Sequence, residues 1–205
     1  MNKLKQSVFF TADLHFGHAH IIKYDNRPFN SLQDMHRSLI KQFNATVPAN
    51  GLTYFLGDIG ITSSVELGNF INKLNGTKVL ILGNHDKGSN AMYNIGFDVV
   101  VHGVTLYIAQ EKVTLTHCPL RGVFREDVTG MKGANENDYW HGEHKNDKFS
   151  VEDEGQFHLH GHIHSPKLRR SLNRQYDVGV RANEYRPVSI SQVESWITKT
   201  KKEEL

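Results

Sequence analysis

Short apolar runs that each stop at a polar residue set the rhythm of the chain. Residues 78–82 form such a run, halt at Gly83 and are followed by Asn84, His85 and Asp86. This is the pattern of a buried strand that delivers a polar loop to its own end. Residues 8–12 run in the same way into Asp13 and His15, residues 52–56 into Gly57 and Asp58, and residues 112–116 into His117. Residues 157–160 then lead into Gly161, His162 and His164. All of these predicted strands end in Asp, Asn or His. In α/β sheets ligands bind beyond the carboxyl ends of parallel strands, where loops converge on a rigid support.

Between the strands the apolar period changes. Residues 17–24 read as a short helical turn, ended before Arg27-Pro28-Phe29 because proline disfavours helix at the residue preceding it. Ser31 can cap the next helix, in which Leu32, Met35, Leu39, Ile40 and Phe43 recur at helical spacing. A further helix is predicted over 64–74, with Leu67, Phe70, Ile71 and Leu74 apolar and Gly76 as its stop. The order strand, helix, strand, helix, strand argues for an α/β fold with parallel strands and right-handed crossovers. From Phe97 onward the runs shorten to 97–101, 104–109 and 112–116, separated at hairpin distances, so the second half is expected to be largely antiparallel. Strands return at 157–160, about 174–180 and 187–190. A closing helix over 191–200 is expected to be capped by Ser191 with Glu194 three residues on, ahead of a charged tail.

Composition narrows the class. With 205 residues, 38% hydrophobic and 22% charged, the chain fits one soluble domain over 1–205. The segment from about 120 to 155 is polar and aperiodic and reads as a loop insertion over the strand ends. A net charge of +2 does not suggest an extended nucleic-acid surface. The apolar run at the N-terminus meets Asp13 too early for a signal peptide, and no membrane-length stretch follows. A single cysteine, Cys118, excludes an internal disulfide, so a cytoplasmic location is expected. The 13 histidines are the anomaly, because several fall at the strand ends already named.

Asp13 and His15 are two apart, so on an extended segment their side chains project to the same side and can share a cation. Asp58, Asn84, His117, His162 and His164 add oxygen and imidazole nitrogen. That mixture suits Mn²⁺, Fe²⁺, Zn²⁺ or Co²⁺ better than the all-oxygen shell of Ca²⁺. Seven such ligands suit two ions, with Asp58 as the natural bridge. Two bridged divalent ions clamp the attacking and departing oxygens in phosphoryl hydrolysis.

Asp-x-His, Gly-Asp, Gly-Asn-His-Asp, a later lone His and Gly-His-x-His, in this order from residue 8 to about 190, resemble the calcineurin-like metallophosphoesterase family. Phe16-Gly17-His18-Ala19-His20-Ile21-Ile22 with Arg27-Pro28-Phe29 further resembles a small, compact bacterial and viral branch. The resemblance implies a four-layer α/β/β/α sandwich of mixed sheets. It implies that Asp13, His15, Asp58 and His164 hold one metal, and that Asp58, Asn84, His117 and His162 hold a second. The pair would be Mn²⁺, with Fe, Zn, Co or Ni as alternatives. The resemblance also implies that His85 is the acid that protonates the leaving oxygen, oriented by Asp86 or another carboxylate. One departure is visible: Ile59-Gly60-Ile61 stands where many relatives carry a further Asp after Gly-Asp.

The activity so implied is hydrolysis of a small phosphoester, nucleotide-like or cyclic, by a phosphodiesterase. A phosphomonoesterase, a nuclease of the same family or a non-enzymatic scaffold are the alternatives. Asn84 and His85 would also contact substrate. His18 and Arg27 either contact a phosphate or sit on a solvated turn. His158 and His160 are expected to pack within the sheet, and Cys118 to fill core space. Arg121, Arg125 and Arg181 read as surface residues. Tyr139, Trp140 and His141 either stack on a base or anchor the insertion.

Overall fold

Side-chain alternation along three strands separates two apolar cores, and the architecture follows from that division. The computed structural model describes residues 6–121, 147–167 and 171–204. Strands β1 (Val8–Thr11), β2 (Leu52–Leu56) and β3 (Thr77–Ile81) pair in parallel. Phe9, Phe55 and Leu80 enter one buried cluster, whereas their neighbours Phe10, Leu56 and Ile81 enter another. Each such side chain contributes about 1.5–3 kcal/mol when fully buried. A slip of one residue would move every one of them to the wrong face, so the register is firmly set.

Helices α1 (Ile21–Tyr24), α2 (Leu32–Thr46), α3 (Ser64–Ile71) and α4 (Ser89–Ile95) precede the strands they support. Ser31 caps α2 by accepting the Asp34 N–H, and Met35, Leu39 and Phe43 fill the first core. Helix α3 is capped by Ser63 and ends three residues short of the expected 74, although Leu74 is still buried. Helix α4 was not expected from the pattern. It is only seven residues long and buries just Met92 and Ile95, too few apolar positions to establish a period.

That short helix explains a correction. Strand β4 (Val99–Val101) runs parallel to β3, because α4 supplies the crossover that a parallel pair requires. The first sheet is completed by β10 (Val188–Ser189), antiparallel to β1, in the order β10-β1-β2-β3-β4. The second sheet contains β5 (Val104–Ile108), β6 (Glu111–Leu115), β7 (Phe157–His160), β8 (Ser171–Leu172) and β9 (Gln175–Asp177), in the order β5-β6-β7-β9-β8. It is mixed rather than largely antiparallel. β5–β6 is a hairpin turned by Ala109 and Gln110 at φ 51° and 67°, whereas β6–β7 and β7–β9 are parallel. The long connection between β6 and β7 permits the parallel pairing.

Val113, Leu115, Phe157, Leu159 and Tyr176 of the second sheet share the second core with Phe10, Leu56 and Ile81 of the first. Helix α5 (Ile190–Glu203) closes this core through Val193, Trp196 and Ile197, and Trp196 meets the Phe157 and Tyr176 rings, each at 5.3 Å. Its capping box is Ser189 with Gln192, two residues earlier than expected, because β10 passes directly into the helix. Among the described residues no helix is long and apolar enough to cross a membrane.

The base of the expected insertion is closed by Cys118 N–H donating to the Phe149 carbonyl at 2.8 Å and Arg121 N–H to Val151 at 2.9 Å. Arg125, Tyr139, Trp140 and His141 lie outside the described residues.

Candidate metal centre

The parallel ladders continue past the strand ends and carry the polar loops together. Asp13 and His15 N–H donate to the carbonyls of Gly57 and Asp58 at 3.1 and 3.0 Å, which extends the β1–β2 pairing. Gly161 N–H donates to the His117 carbonyl at 2.9 Å, which extends β6–β7, and a parallel bridge between Ala12 and Gly179 joins the two sheets. Asp13, His15, Asp58, His162 and His164 all have left-handed backbones, with φ of 59°, 52°, 56°, 69° and 47°. Asp13 and His15 are therefore not on the extended segment expected for them, though their side chains do converge. Such conformations cost about 1–3 kcal/mol each and persist where surrounding structure holds them.

Asp58 lies at the middle. Its Oδ2 is 3.7 Å from His15 Nε2, its Oδ1 is 3.4 Å from His117 Nε2, and Oδ1 also accepts the His85 N–H at 3.0 Å. On the His15 side, His15 Nε2 and His164 Nε2 face each other at 3.0 Å, and His164 Nε2 is 3.6 Å from Asp13 Oδ1. On the His117 side, His117 Nε2 is 2.9 Å from Asn84 Oδ1, and the His162 ring centroid is 5.0 Å from that of His117. Among the described residues three groups have the spacing to hold a cation: Asp13 with His15 and His164, Asp13 with Asp58 and His117, and His117 with Cys118 and His162. Cys118 is buried in the first core as expected, but its place in the last group was missed. The glycines permit this density: a Cβ on Gly83 would lie 2.4 Å from Asp58 Oδ1, and one on Gly57, at φ 84°, would lie 2.5 Å from His117 Nδ1.

The electrostatics match the crowding. Burial opposes charge on His164, but Asp13 and Asp25 overcome it and push its pKa up to about 10. Burial likewise opposes charge on His117, and Asp58 pushes it up to about 9. Burial and the neighbouring His117 hold His162 down to about 3, while burial and His164 hold His15 well below the usual imidazole range. Burial works against ionised Asp58, yet His117 and His15 hold it in the carboxylate form.

His85 sits at the rim, its side chain 51% exposed and its Nε2 4.0 Å from Asp58 Oδ2. Asp86 is not its orienting partner. Both Asp86 oxygens are occupied by main-chain donors: Asp58 N–H at 3.0 Å, Ile59 N–H at 2.9 Å and Gly83 N–H at 2.9 Å. It ties the β2 and β3 loops together, which corrects the catalytic role expected of it. Burial and Asp58 push its pKa up to about 6.

Arg27 is also corrected as a phosphate contact. Its side chain is wholly buried and directed at Asp25, the carbonyls of Asp13 and Leu14, and Met35 Sδ. His18 stays near the centre, its ring 5.5 Å from that of His15. Arg121 pairs with Glu152 at the surface, but Arg181 is half-buried and donates to the His164 carbonyl. His158 packs within the sheet against the Thr116 hydroxyl at 2.7 Å.

The sequence reading missed Asp25, which meets His164 Nδ1 at 2.9 Å, and Asp177, whose oxygens accept the N–H groups of Ser165 and Gly179. Asp177 ends the observed β9 but lies in the middle of the strand expected over about 174–180, so no polar strand end marked it.

No family model matches the chain. The uncharacterized protein MJ1445 of Methanocaldococcus jannaschii is 40% identical over 84 residues, a stretch covering 40% of this chain and 48% of that protein. The gene 66 protein of Mycobacterium phage L5 is 27% identical over 186 residues, covering 86% of this chain and 87% of that protein. Its counterpart in Mycobacterium phage D29 is 28% identical over 196 residues, with 86% and 88% covered. Among solved structures, the protein of unknown function AQ665 from Aquifex aeolicus shares the fold with a TM-score of 0.65 at 20% identity, over 94% of this chain and 100% of that one.

Proposed function

We propose that the chain is a metal-dependent phosphoesterase, and specifically a phosphodiesterase for small nucleotide-like or cyclic phosphoesters. The observation that carries this reading is the placement of Asp58, one oxygen toward His15 and the other toward His117. One carboxylate thereby lies between two donor sets, the arrangement that a bridged ion pair needs. The donors are buried carboxylates, buried or half-buried imidazoles and one half-buried amide, a set that fits Mn²⁺ and also Fe, Zn, Co or Ni. Asp13, His15, Asp58 and His164 would hold one ion; Asp58, Asn84, His117 and His162 would hold the other. Such ions supply positive charge to phosphoryl oxygens and lower the pKa of a bound water.

The chain's own residues do the rest. His85, exposed at the rim beside Asp58, donates a proton to the leaving oxygen. Asn84 offers its amide N–H groups to a phosphoryl oxygen, since its carbonyl oxygen is turned toward His117. His18, whose ring adjoins that of His15, would meet the outer part of the ester. The reading agrees with the resemblance to calcineurin-like metallophosphoesterases and with the four-layer α/β/β/α sandwich it implies, for which the core shared by the two sheets is the support. The test is an assay of the full chain, stripped by chelator and reloaded with Mn²⁺, on aryl mono- and diesters and on 2′,3′- and 3′,5′-cyclic nucleotides. Diester hydrolysis that vanishes on chelation and returns with Mn²⁺ is expected. An ion-loaded protein that cleaves no ester would refute the proposal.

A further inference from the structure

We propose that Asp25 and Arg27 form a buried positioning strut that aims His164 Nε2 into the centre and fixes the Asp13 loop, so that they govern loading of one ion site and not the other. The inference rests on the metal-centre reading above. Asp25 follows α1, and Asn26 turns the chain with φ 50°, which returns Arg27 beneath the β1 loop. Asp25 Oδ1 meets His164 Nδ1 at 2.9 Å, while Oδ2 accepts Arg27 Nε at 3.0 Å. The guanidinium then donates to the Asp13 carbonyl at 2.9 Å and the Leu14 carbonyl at 3.2 Å. Arg27 is 4% and Asp25 5% exposed, so these are desolvated contacts rather than a surface pair.

Burying an ion pair is poor value for stability alone, because removing two charges from water offsets most of their attraction. Its geometry suggests another use. A carboxylate on Nδ1 fixes the tautomer that leaves Nε2 with a free lone pair, and that atom faces His15 Nε2 and Asp13. Arg27 meanwhile grips two main-chain carbonyls of the loop that presents Asp13 and His15, both in left-handed conformations that need support. The strut thus touches Asp13 and His164 directly and holds the loop that bears His15 through the Leu14 carbonyl, and these are the three residues assigned above to one site alone. Among the described residues no corresponding carboxylate backs His117, whose Nδ1 meets the Leu56 carbonyl at 2.7 Å.

The experiment is Mn²⁺ titration of the full-length protein and of Asp25→Asn, which keeps the side chain's size, with NMR of the histidine ring nitrogens in Zn²⁺-loaded wild type. Two ions are expected in wild type. In the variant one site should weaken about 10- to 100-fold and the other should stay unchanged. Equal weakening of both sites, or of neither, overturns the inference and leaves the metal centre standing. A wild type that takes up no ion overturns both. Where Asp25→Asn fails to fold, the NMR arm decides: His164 protonated at Nδ1 supports the strut, and His164 bare at Nδ1 refutes it.

Discussion

On one side of Asp58, His164 leans on a buried carboxylate that is itself held by an arginine; on the other, His117 leans on a main-chain carbonyl at the end of β2. The first half takes Asp13, His15 and His164 from two loops with left-handed backbones, pinned by side chains from an intervening turn. The second takes Asn84 and His117 from just beyond the ends of β3 and β6, and His162, also left-handed, from the loop after β7, where its N–H donates to the Asp13 carboxylate. The difference teaches that similar donors can be fixed by two means. Where the strands place the donor, a peptide carbonyl suffices. Where a strained loop places it, charged side chains must hold the loop. The halves should therefore fail separately when their supports are removed, and together only when Asp58 is changed.

Asp58→Asn is expected to have the largest effect, weakening both ion sites and reducing activity by about 10²–10³-fold or more. Asn84→Ala should weaken one site only. Metal analysis that finds two full ions in either variant would break the comparison. His85→Ala should keep both ions yet lose about 10²–10⁴-fold in turnover of esters with poor leaving groups. An activated aryl diester, whose leaving group needs little protonation, should be spared more, and equal losses on the two substrates would remove the acid role.

Asp86→Ala lies outside both halves and tests their common frame. Three inward N–H groups lose their acceptor, each worth about 1–3 kcal/mol when left unpaired. Thermal unfolding should drop by several degrees, since each kcal/mol shifts a chain of this size by about 2–4 °C. Lost turnover with an unchanged melting temperature would restore a catalytic role to Asp86.

A smaller effect concerns protons. Without ions, His164 and His117 stay charged up to about pH 10 and 9, above the ordinary 6.5. These raised values stabilise the ion-free fold fully below pH 6.5, and that contribution is lost as pH rises through 9 and 10. An ion must displace both protons, so its affinity should climb with pH in this window, by up to about tenfold per unit for each proton released. Calorimetry in buffers of different ionisation heat counts those protons, and a count of none would contradict the assignment.

Much of this was legible in the sequence. The strand runs ending in Asp13, Asp58, Asn84, His117 and His162 marked the seven residues that the fold brings together, because a buried strand and its polar end leave a local signature. Ser31 showed its cap for the same reason. What escaped depended on partners distant along the chain. Asp25 and Arg27 look like a solvated turn until the fold brings His164, 139 positions from Asp25, against them. Asp86 sits beside His85 in sequence, yet its carboxylate turns to the main chain of Asp58, Ile59 and Gly83. The parallel placement of β4 required α4, too short to show a period, and the parallel β6–β7 pair depends on the long connection between those strands.

The most direct test of the central claim, that Asp58 is shared by two donor sets, is electron paramagnetic resonance of the protein fully loaded with Mn²⁺. Two ions joined through one carboxylate couple their spins. The expected result is an exchange-coupled spectrum in wild type that gives way to an isolated-ion spectrum, or to none, in Asp58→Asn. An isolated-ion Mn²⁺ spectrum from the fully loaded wild type would contradict the claim.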